Sequence, residues 1–252
     1  MDRNVTVFKK IWNLFKGFIL FNLIWYTLAL MINSRVLPTP DKVYSHLPTL
    51  IQNGLNLHIS ASLYRLSTGL LISFLIGTFF GLLMGYFPNM NKLFNPLVYF
   101  VYPVPKTALL PVAMTIYGLG DNSKITIIVL ITVFQIIVSV RDAVINVSKE
   151  HYQSLISLGA SPIQLFYHVT FPAILTELLT SIRVTLGTAL SILFFVEAYG
   201  TKQGIGYFIQ DSWSRINYID MYSGILVLSL VGVFLFIFID VLENRCCRWK
   251  KQ

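Results

Sequence analysis

The sequence predicts an all-α, polytopic membrane protein with six transmembrane helices, and three observations support this fold class. Hydrophobic residues make up 55% of the 252 residues and charged residues only 12%, whereas a soluble domain carries about 25% charged residues. The apolar residues are collected in runs of about twenty, the length at which a helix crosses roughly 30 Å of hydrocarbon. Basic residues lie mainly between these runs, where they indicate topology.

Six spans can be drawn through the apolar runs, and together they account for one helical membrane domain with no room for a second, catalytic domain. They cover about Gly17–Ile32, Ser60–Tyr86, Pro96–Tyr117, Ile125–Val144, Ala173–Val196 and Met221–Leu242. A cleaved signal peptide is the alternative reading of the first run. Its apolar stretch is long and no A-x-A-like site follows it, so we expect a retained anchor.

The distribution of Lys and Arg predicts that both termini are cytoplasmic. With the N-terminus inside, the inner segments hold eleven basic residues: Arg3, Lys9, Lys10, Lys16, Lys92, Arg141, Lys149, Arg245, Arg248, Lys250 and Lys251. The outer segments hold five: Arg35, Lys42, Lys124, Lys202 and Arg215. This asymmetry follows the positive-inside rule. The net charge of +8 forms no basic stripe on a soluble face, so we expect no nucleic-acid partner.

Small residues recur at every fourth position of the second span. They are Gly69, Ser73, Gly77, Gly81 and Gly85. A four-residue step keeps them on one helix face, and small residues let another backbone approach closely. We therefore predict a helix-packing face, directed at another span or at a second copy of the chain, with Leu82 facing lipid.

Prolines predict irregular structure in the third span and before the second. Pro103, Pro105 and Pro111 each remove a backbone donor, so we expect a kinked span inside the bundle, next to a water-filled path.

In the outer segment 34–59, Asp41 can cap a short interfacial helix. That helix would place Val43, Leu47, Leu50 and Ile51 on one side.

The longest inner segment, residues 145–172, predicts a helix, a tight turn and a second helix. Lys149–Leu158 is the first helix, and Gly159 suits the left-handed position beyond its end. Ser161 can cap the second helix, with Pro162 at its first position and Gln164 three residues after the cap. This helix is expected to end before Phe171-Pro172. Its apolar side chains call for a partner protein.

The run from Gln153 to Ser161, followed by Phe171-Pro172-Ala173-Ile174, resembles the EAA loop of ABC-importer permeases. In that family the loop is a coupling helix that docks into the ATPase subunit. The family's Glu-Ala-Ala is replaced here by Gln153, Ser154 and Leu155. The resemblance assigns ATPase coupling to Gln153, Ser154, Leu158, Gly159, Ala160, Ser161 and Pro172.

Further motifs resemble one branch of this family, the permeases for nitrate, taurine and aliphatic sulfonates, whose relatives import pyrimidine precursors of thiamine. The motifs are Leu37-Pro38-Thr39-Pro40, Ser62-Leu63-Tyr64-Arg65 with Gly69, Pro103-Val104-Pro105-Lys106 with Leu110-Pro111, Gly118 to Lys124, and Glu197 with Gly204-Ile205-Gly206-Tyr207. The resemblance covers about Leu37 to Glu243. It divides the chain into residues 1–59 (N-terminal tail, first span and outer interfacial segment), a core permease domain at 60–244 and a basic cytoplasmic tail at 245–252.

The resemblance implies a type I importer-like subunit of the bacterial inner membrane. Two copies would work with two cytoplasmic ATPase subunits and an external solute-binding protein. The chain has no phosphate loop of the form G-x-x-x-x-G-K-[ST], so ATP must be bound by the partner subunit, and we expect no cofactor in this chain. Its four histidines show no metal-ligand spacing, and no catalytic or metal-binding residue is predicted.

Charged residues within or beside spans are candidates for the translocation path, since such charges usually face protein or water. They are Lys106, Arg183 and Glu197. Snorkelling of the two cations and an interfacial position for Glu197 are the alternatives. A secondary transporter or channel is the competing function. We expect no acidic residue deep in a span, which disfavours it, and dependence on a separate ATPase would distinguish the two.

Overall fold

A computed structural model describes the backbone of residues 2–247, together with the side chains of Trp12 and residues 16–247 except 149 and 151. All regular elements of the described residues are helical. They are α1 (Asp2–Ile32), α2 (Pro40–Leu50), α3 (Asn56–Tyr86), α4 (Pro88–Val101), α5 (Leu110–Tyr117), α6 (Asp121–Ile145), α7 (Lys149–Ser157), α8 (Pro162–Leu165), α9 (Phe171–Glu197), α10 (Ile205–Ser214) and α11 (Tyr218–Cys246). The predicted tail residues Arg248, Lys250 and Lys251 lie outside the described residues.

Four helical stretches of the described chain are long and apolar enough to cross a membrane. They are Pro40–Tyr86, Asp121–Ile145, Pro162–Glu197 and Tyr218–Cys246. A bent pair of helices, Pro88–Val101 with Lys106–Tyr117, adds a fifth candidate. The apolar part of α1, Lys16–Ile32, is shorter. The chain is therefore an all-helical, multi-pass membrane protein.

The predicted third span is broken rather than kinked, and it begins earlier than expected. α4 starts at Pro88, and the chain leaves the helix after Val101. A short 3₁₀ turn at Lys106–Leu109 leads into α5, and the two halves are bent by 82°. Pro103 and Pro105 remove two donors within three residues, so a helix could not continue through them. Pro111 lies in the first turn of α5, where a missing donor costs nothing.

The short helix α2 packs one side against the bundle, and its predicted position at the outer membrane interface stays a prediction. Its N-cap is Thr39, and Asp41, predicted to be the cap, lies in the first turn. Val43 and Leu50 are buried against residues of α1, α10 and α11, whereas Ile51 is exposed. Gly54 then adopts a φ of +96°, which lets the chain turn into α3.

The small residues of α3 contact α6 along its length. Each pairs with one residue of α6: Gly69 with Ile128, Ser73 with Thr132, Gly77 with Ile136, Gly81 with Val140 and Gly85 with Val144. The two hydroxyls of the Ser73–Thr132 pair lie 2.6 Å apart. A Cβ added at any of the four glycines would come within 2.5–2.7 Å of the opposing side chain. The helices run parallel in one register, with β-branched side chains filling the space the glycines leave.

This α3–α6 seam corrects one sequence expectation about α3. Leu82, predicted to face lipid, is partly buried and packs against the cluster that contains Ile136 and Val140. It follows Gly81 directly, and the face turned toward α6 is wide enough to include it. The exposed apolar residues of α3 include Leu71, Leu75 and Phe79 instead.

A buried charge network closes the bundle at the Asp121 end of α6. Arg65 donates from Nη1 to Oε1 of Glu197 and from Nε to Oδ1 of Asp121, both at 2.7 Å. Ser62 donates to both carboxylate oxygens of Glu197, at 2.9 and 2.8 Å. Lys124, fully buried beside them, donates to the carbonyls of Leu119 and Gly200. The positive charges of Arg65 and Lys124 are therefore balanced by the negative charges of Asp121 and Glu197.

Glu197 also holds the N-terminus of α10. Its Oε2 accepts a hydrogen bond of 2.9 Å from the backbone N–H of Gly206. A Cβ on Gly204 would lie 2.4 Å from the Glu197 carboxyl carbon, and one on Gly206 would lie 2.6 Å from the Phe194 carbonyl oxygen. The two glycines therefore permit the backbone to reach the carboxylate, which stabilises the positive end of the helix.

We predict that Gly81→Leu destabilises the protein by about 1–3 kcal/mol, because it forces bulk into the packed α3–α6 seam. The matched control is Gly17→Leu, since an added Cβ at Gly17 meets no atom within 4 Å. The measurement is the thermal unfolding midpoint of the purified protein in detergent. Equal midpoints for the two variants would contradict the seam.

We predict that Arg65→Met destabilises the protein by about 3–5 kcal/mol, because it leaves the Glu197 carboxylate buried without its cation. The double variant Arg65→Met/Glu197→Leu should recover part of this loss. The control is Arg215→Met, which removes an exposed pair with Asp211 and should cost about 0–1 kcal/mol. Thermal unfolding in detergent measures all three, and an Arg65→Met protein as stable as Arg215→Met would disprove the role of the network.

Candidate functional site

The segment between α6 and α9 forms a helical hairpin with a well-formed turn. Ser148 is the N-cap of α7, and its side chain accepts from the backbone N–H of Glu150. At its end Gly159 has a φ of +80°. The Gly159 N–H donates to the Ile156 carbonyl at 2.9 Å, and the Ala160 N–H donates to that of Leu155 at 3.0 Å. These two bonds form a Schellman motif, which ends α7 at Ser157, one residue before the predicted end at Leu158.

The second helix of the hairpin starts with the predicted capping box. The Ser161 side chain accepts from the backbone N–H of Gln164, whose Oε1 accepts from the Ser161 N–H at 2.7 Å. Pro162 occupies the first turn, where its lack of a donor is harmless. The two motifs connect α7 to α8 through local hydrogen bonds, which are backbone–backbone at Gly159 and Ala160 and backbone–side-chain at Ser161 and Gln164.

The second helix does not end before Pro172 as expected. After α8 the chain widens into a π-helical turn at Phe166–Thr170 and continues into α9 without a break, so that Pro162–Glu197 forms one helical stretch long and apolar enough to cross a membrane. In the wider turn the Phe171 N–H donates to the Phe166 carbonyl five residues before it, and Pro172 then lies in the first turn of α9, where a missing donor is tolerated. The hairpin is therefore rigidly attached to a membrane helix.

The hairpin has one anchored side and one exposed side. The hydroxyls of Tyr152 and Thr170 lie 2.8 Å apart, and the Phe166 ring lies 6.3 Å from the Tyr86 ring at the end of α3. Leu158 is 81% exposed and Ile163 is 70% exposed. Ile156, two residues before Leu158, and Tyr167, four residues after Ile163, are also exposed. Four large apolar side chains thus project from a hairpin that hydrogen bonds hold in shape.

Two of the three residues at the Glu-Ala-Ala positions lie on the exposed part of α7, and the third, Leu155, is half-buried. Gln153 and Ser154 are both exposed. The Ser154 hydroxyl donates to the Glu150 carbonyl at 2.9 Å, and the Gln153 carbonyl accepts from Ser157 at 2.9 Å. The Ser154 and Ser157 hydroxyls are therefore hydrogen-bonded within α7. The side-chain amide of Gln153 is left at the surface.

Two of the three path candidates are engaged by other side chains. Both carboxylate oxygens of Glu197 accept from protein donors in the network described above. Arg183 on α9 forms ion pairs with Asp240 and Glu243 on α11. Asp240 lies two residues before the end of the predicted sixth span, so the expectation that no acidic residue lies deep in a span stays a prediction. Arg183 in the predicted fifth span and Asp240 in the predicted sixth carry opposite charges, and this was the sequence signal for their ion pair.

The third candidate, Lys106, lines a cavity of about 300 Å³ at the break between α4 and α5. Thr107, Gln135 and Thr188 contribute polar groups to the same wall, and Ile131 and Ile192 contribute apolar ones. Sequence reasoning missed the three polar residues. The signal was a glutamine in an otherwise apolar run. No group of three or more metal-ligating side chains occurs among the described residues.

Comparisons with known proteins agree with this geometry. Residues 73–246 match the family described as "Binding-protein-dependent transport system inner membrane component". The taurine transport system permease protein TauC of Escherichia coli is 29% identical over 234 residues, which covers 90% of this chain and 85% of TauC. The formylaminopyrimidine transport permease protein ThiX of Halalkalibacterium halodurans is 28% identical, covering 93% of this chain and 94% of ThiX.

A solved structure shares the fold. One chain of the methionine ABC transporter MetNI, in an inward-facing conformation, superimposes with a TM-score of 0.59 at 19% identity, covering 73% of this chain and 94% of that one. The family match extends over more than half of the sequence and includes the hairpin, the cavity and the network around Glu197 except Ser62 and Arg65, which precede residue 73. The chain therefore belongs to the inner-membrane components of binding-protein-dependent transport systems.

Proposed function

We propose that this permease couples ATP hydrolysis on a separate subunit to solute import through the α7–α8 hairpin. The observation that carries the proposal is the rigid hairpin with four exposed apolar side chains. All four apolar groups precede the predicted fifth span, Ala173–Val196. They favour a protein partner, because exposed apolar patches mark interaction sites. The hairpin continues directly into α9, so a displacement at the docking surface reaches the membrane bundle.

The assembly that we propose contains two copies of this chain, two ATPase subunits and an external solute-binding protein. ATP binding draws the two hairpins together and opens the bundle outward, and hydrolysis returns it inward. Such coupling requires that the hairpin make different contacts in the two states. The solute is a small nitrate-, sulfonate- or taurine-like compound, as the similarity to TauC favours. A pyrimidine precursor of thiamine is the alternative, which the similarity to ThiX favours.

The membrane topology that we propose has six spans with both termini cytoplasmic. The four long stretches, the bent α4–α5 pair and the short apolar part of α1 supply the six crossings. Eleven basic residues then lie inside and five outside. This arrangement places the α7–α8 hairpin on the cytoplasmic side, where an ATPase can reach it.

We predict that Gly159→Val prevents ATPase binding and uptake while the protein still inserts. The backbone at Gly159 is left-handed, so valine is strained there by about 1–3 kcal/mol and misplaces α8. The matched control is Gly118→Val. Gly118 has a φ of +77° and, like Gly159, no atom within 4 Å of an added Cβ, but it lies at the opposite end of the bundle.

Co-purification of the ATPase and solute uptake in cells measure the effect of both glycine variants. Gly159→Val should lose most of the bound ATPase, and Gly118→Val should retain it. If Gly159→Val keeps full ATPase binding and full uptake, coupling through the hairpin is wrong. The secondary-transporter alternative would then gain support.

We predict that reporter fusions at Asn53, Asn91 and Gln252 report outside, inside and inside. The physical reason is the excess of basic residues in the segments that hold Asn91 and Gln252. Alkaline phosphatase and green fluorescent protein fusions provide opposite readouts at each position. An outside reading at Gln252 would refute the even number of spans.

A further inference from the structure

We propose that the cavity at the α4–α5 break is a binding subsite for a small solute that carries an anionic group, with Lys106 as the residue that attracts the charge. This inference rests on the proposed import function, because it assigns the cavity to the path of the solute. Gln135 lies about 20 Å along α6 from Asp121, near the middle of a span, at 1.5 Å per residue. The subsite is thus within the bilayer rather than at its surface.

The charges of the described bundle single out Lys106. Three cationic side chains are buried: Arg65, Lys106 and Lys124. Arg65 pairs directly with two carboxylates, and Lys124 feels the same two. Lys106 instead donates to the carbonyls of Tyr102 at 2.9 Å and Val104 at 3.5 Å, and no described carboxylate pairs with it. A buried cation without a counter-ion is costly, and an anion in the cavity would offset that cost.

The cavity offers more than a charge. Its wall carries the Thr107 and Thr188 hydroxyls and the Gln135 amide. The Gln135 Oε1 is buried and has no hydrogen-bond partner among the described residues. An amide oxygen left without a donor suits a solute that brings an N–H or O–H group. The rings of Tyr102 and Phe134 lie within 6 Å of the Lys106 ammonium, so they hold it at the wall.

If Lys106 had only a structural role, the cavity would show no preference for anions. The hydrogen bonds of Lys106 to Tyr102 and Val104 satisfy carbonyls freed where α4 ends. That role requires only a donor and creates no preference for anions in the cavity. A measurement of charge selectivity inside the cavity therefore separates the two.

The test uses a thiol placed in the cavity and two reagents of opposite charge. The protein carries Cys246→Ser, Cys247→Ser and Thr188→Cys and is purified in detergent without its ATPase or binding protein. The reagents are the anionic sulfonatoethyl and the cationic trimethylammonioethyl methanethiosulfonates. The ratio of the anionic to the cationic labelling rate is compared with that of free 2-mercaptoethanol and with that of Ser34→Cys at the exposed end of the bundle.

We expect the ratio at Thr188→Cys to exceed that of the free thiol on the order of tenfold, because a single charge acts at short range in a partly dehydrated site. Adding Lys106→Gln should abolish the excess, and Lys106→Arg should keep it. Neither substitution should alter the ratio at Ser34→Cys. Ethanesulfonate should slow labelling at Thr188→Cys, whereas propanol at the same concentration should not.

Three results would overturn the subsite. They are a ratio at Thr188→Cys equal to that of the free thiol, an excess that survives Lys106→Gln, and equal protection by ethanesulfonate and propanol. The first and third need no change at Lys106, so they remain informative if Lys106→Gln fails to fold. Because no ATPase is present, these results leave coupling through the hairpin to the Gly159→Val experiment.

Discussion

The close approach of α3 and α6 is the constraint on which much of the bundle depends. Four glycines and one serine on α3 meet five β-branched side chains on α6 at a constant separation of 59 positions. One turn further toward the start of α3, the same register brings Arg65 level with Lys124. Two cations on adjacent helices repel each other, and Asp121 and Glu197 supply the compensating charges. The buried network is therefore a consequence of the seam. Because Glu197 also holds the start of α10, the seam positions that helix as well.

The bundle is irregular where prolines leave backbone groups without partners. In lipid such groups need internal partners, and the two proline regions solve this differently. At Pro103 and Pro105 the helix breaks, and the Lys106 ammonium binds two of the freed carbonyls. At Pro172 the helix widens by one π-turn and continues. The first solution opens a cavity beside Gln135 of α6. The second keeps α8 and α9 continuous, which links the exposed hairpin mechanically to the bundle.

The charges within the spans then fall into two kinds. The network around Arg65 and the pairs made by Arg183 satisfy one another between helices and stabilise the bundle. Lys106 is different, because its described partners are carbonyls and aromatic rings. Position along the chain does not separate the two kinds, since Arg183 and Lys106 are both basic residues within apolar runs. The two kinds of charge are distinguished only by the groups that surround them in the folded protein, which are carboxylates for Arg183 and carbonyls for Lys106.

How much the sequence predicted depended on the range of the interactions involved. The fold class, the Gly159 turn and the Ser161 capping box follow from composition and from bonds that span at most five residues, so local reasoning reached them. The small-residue stripe identified a packing face on α3 but not its partner, because α6 is defined only when the helices assemble. Pro172 appeared to end a helix, yet the adjoining π-turn accommodates it. The Arg65–Glu197 pair joins residues 132 positions apart, and the cavity residues come from three separate segments. Tertiary structure alone decided these, since it determines which distant side chains share a desolvated space.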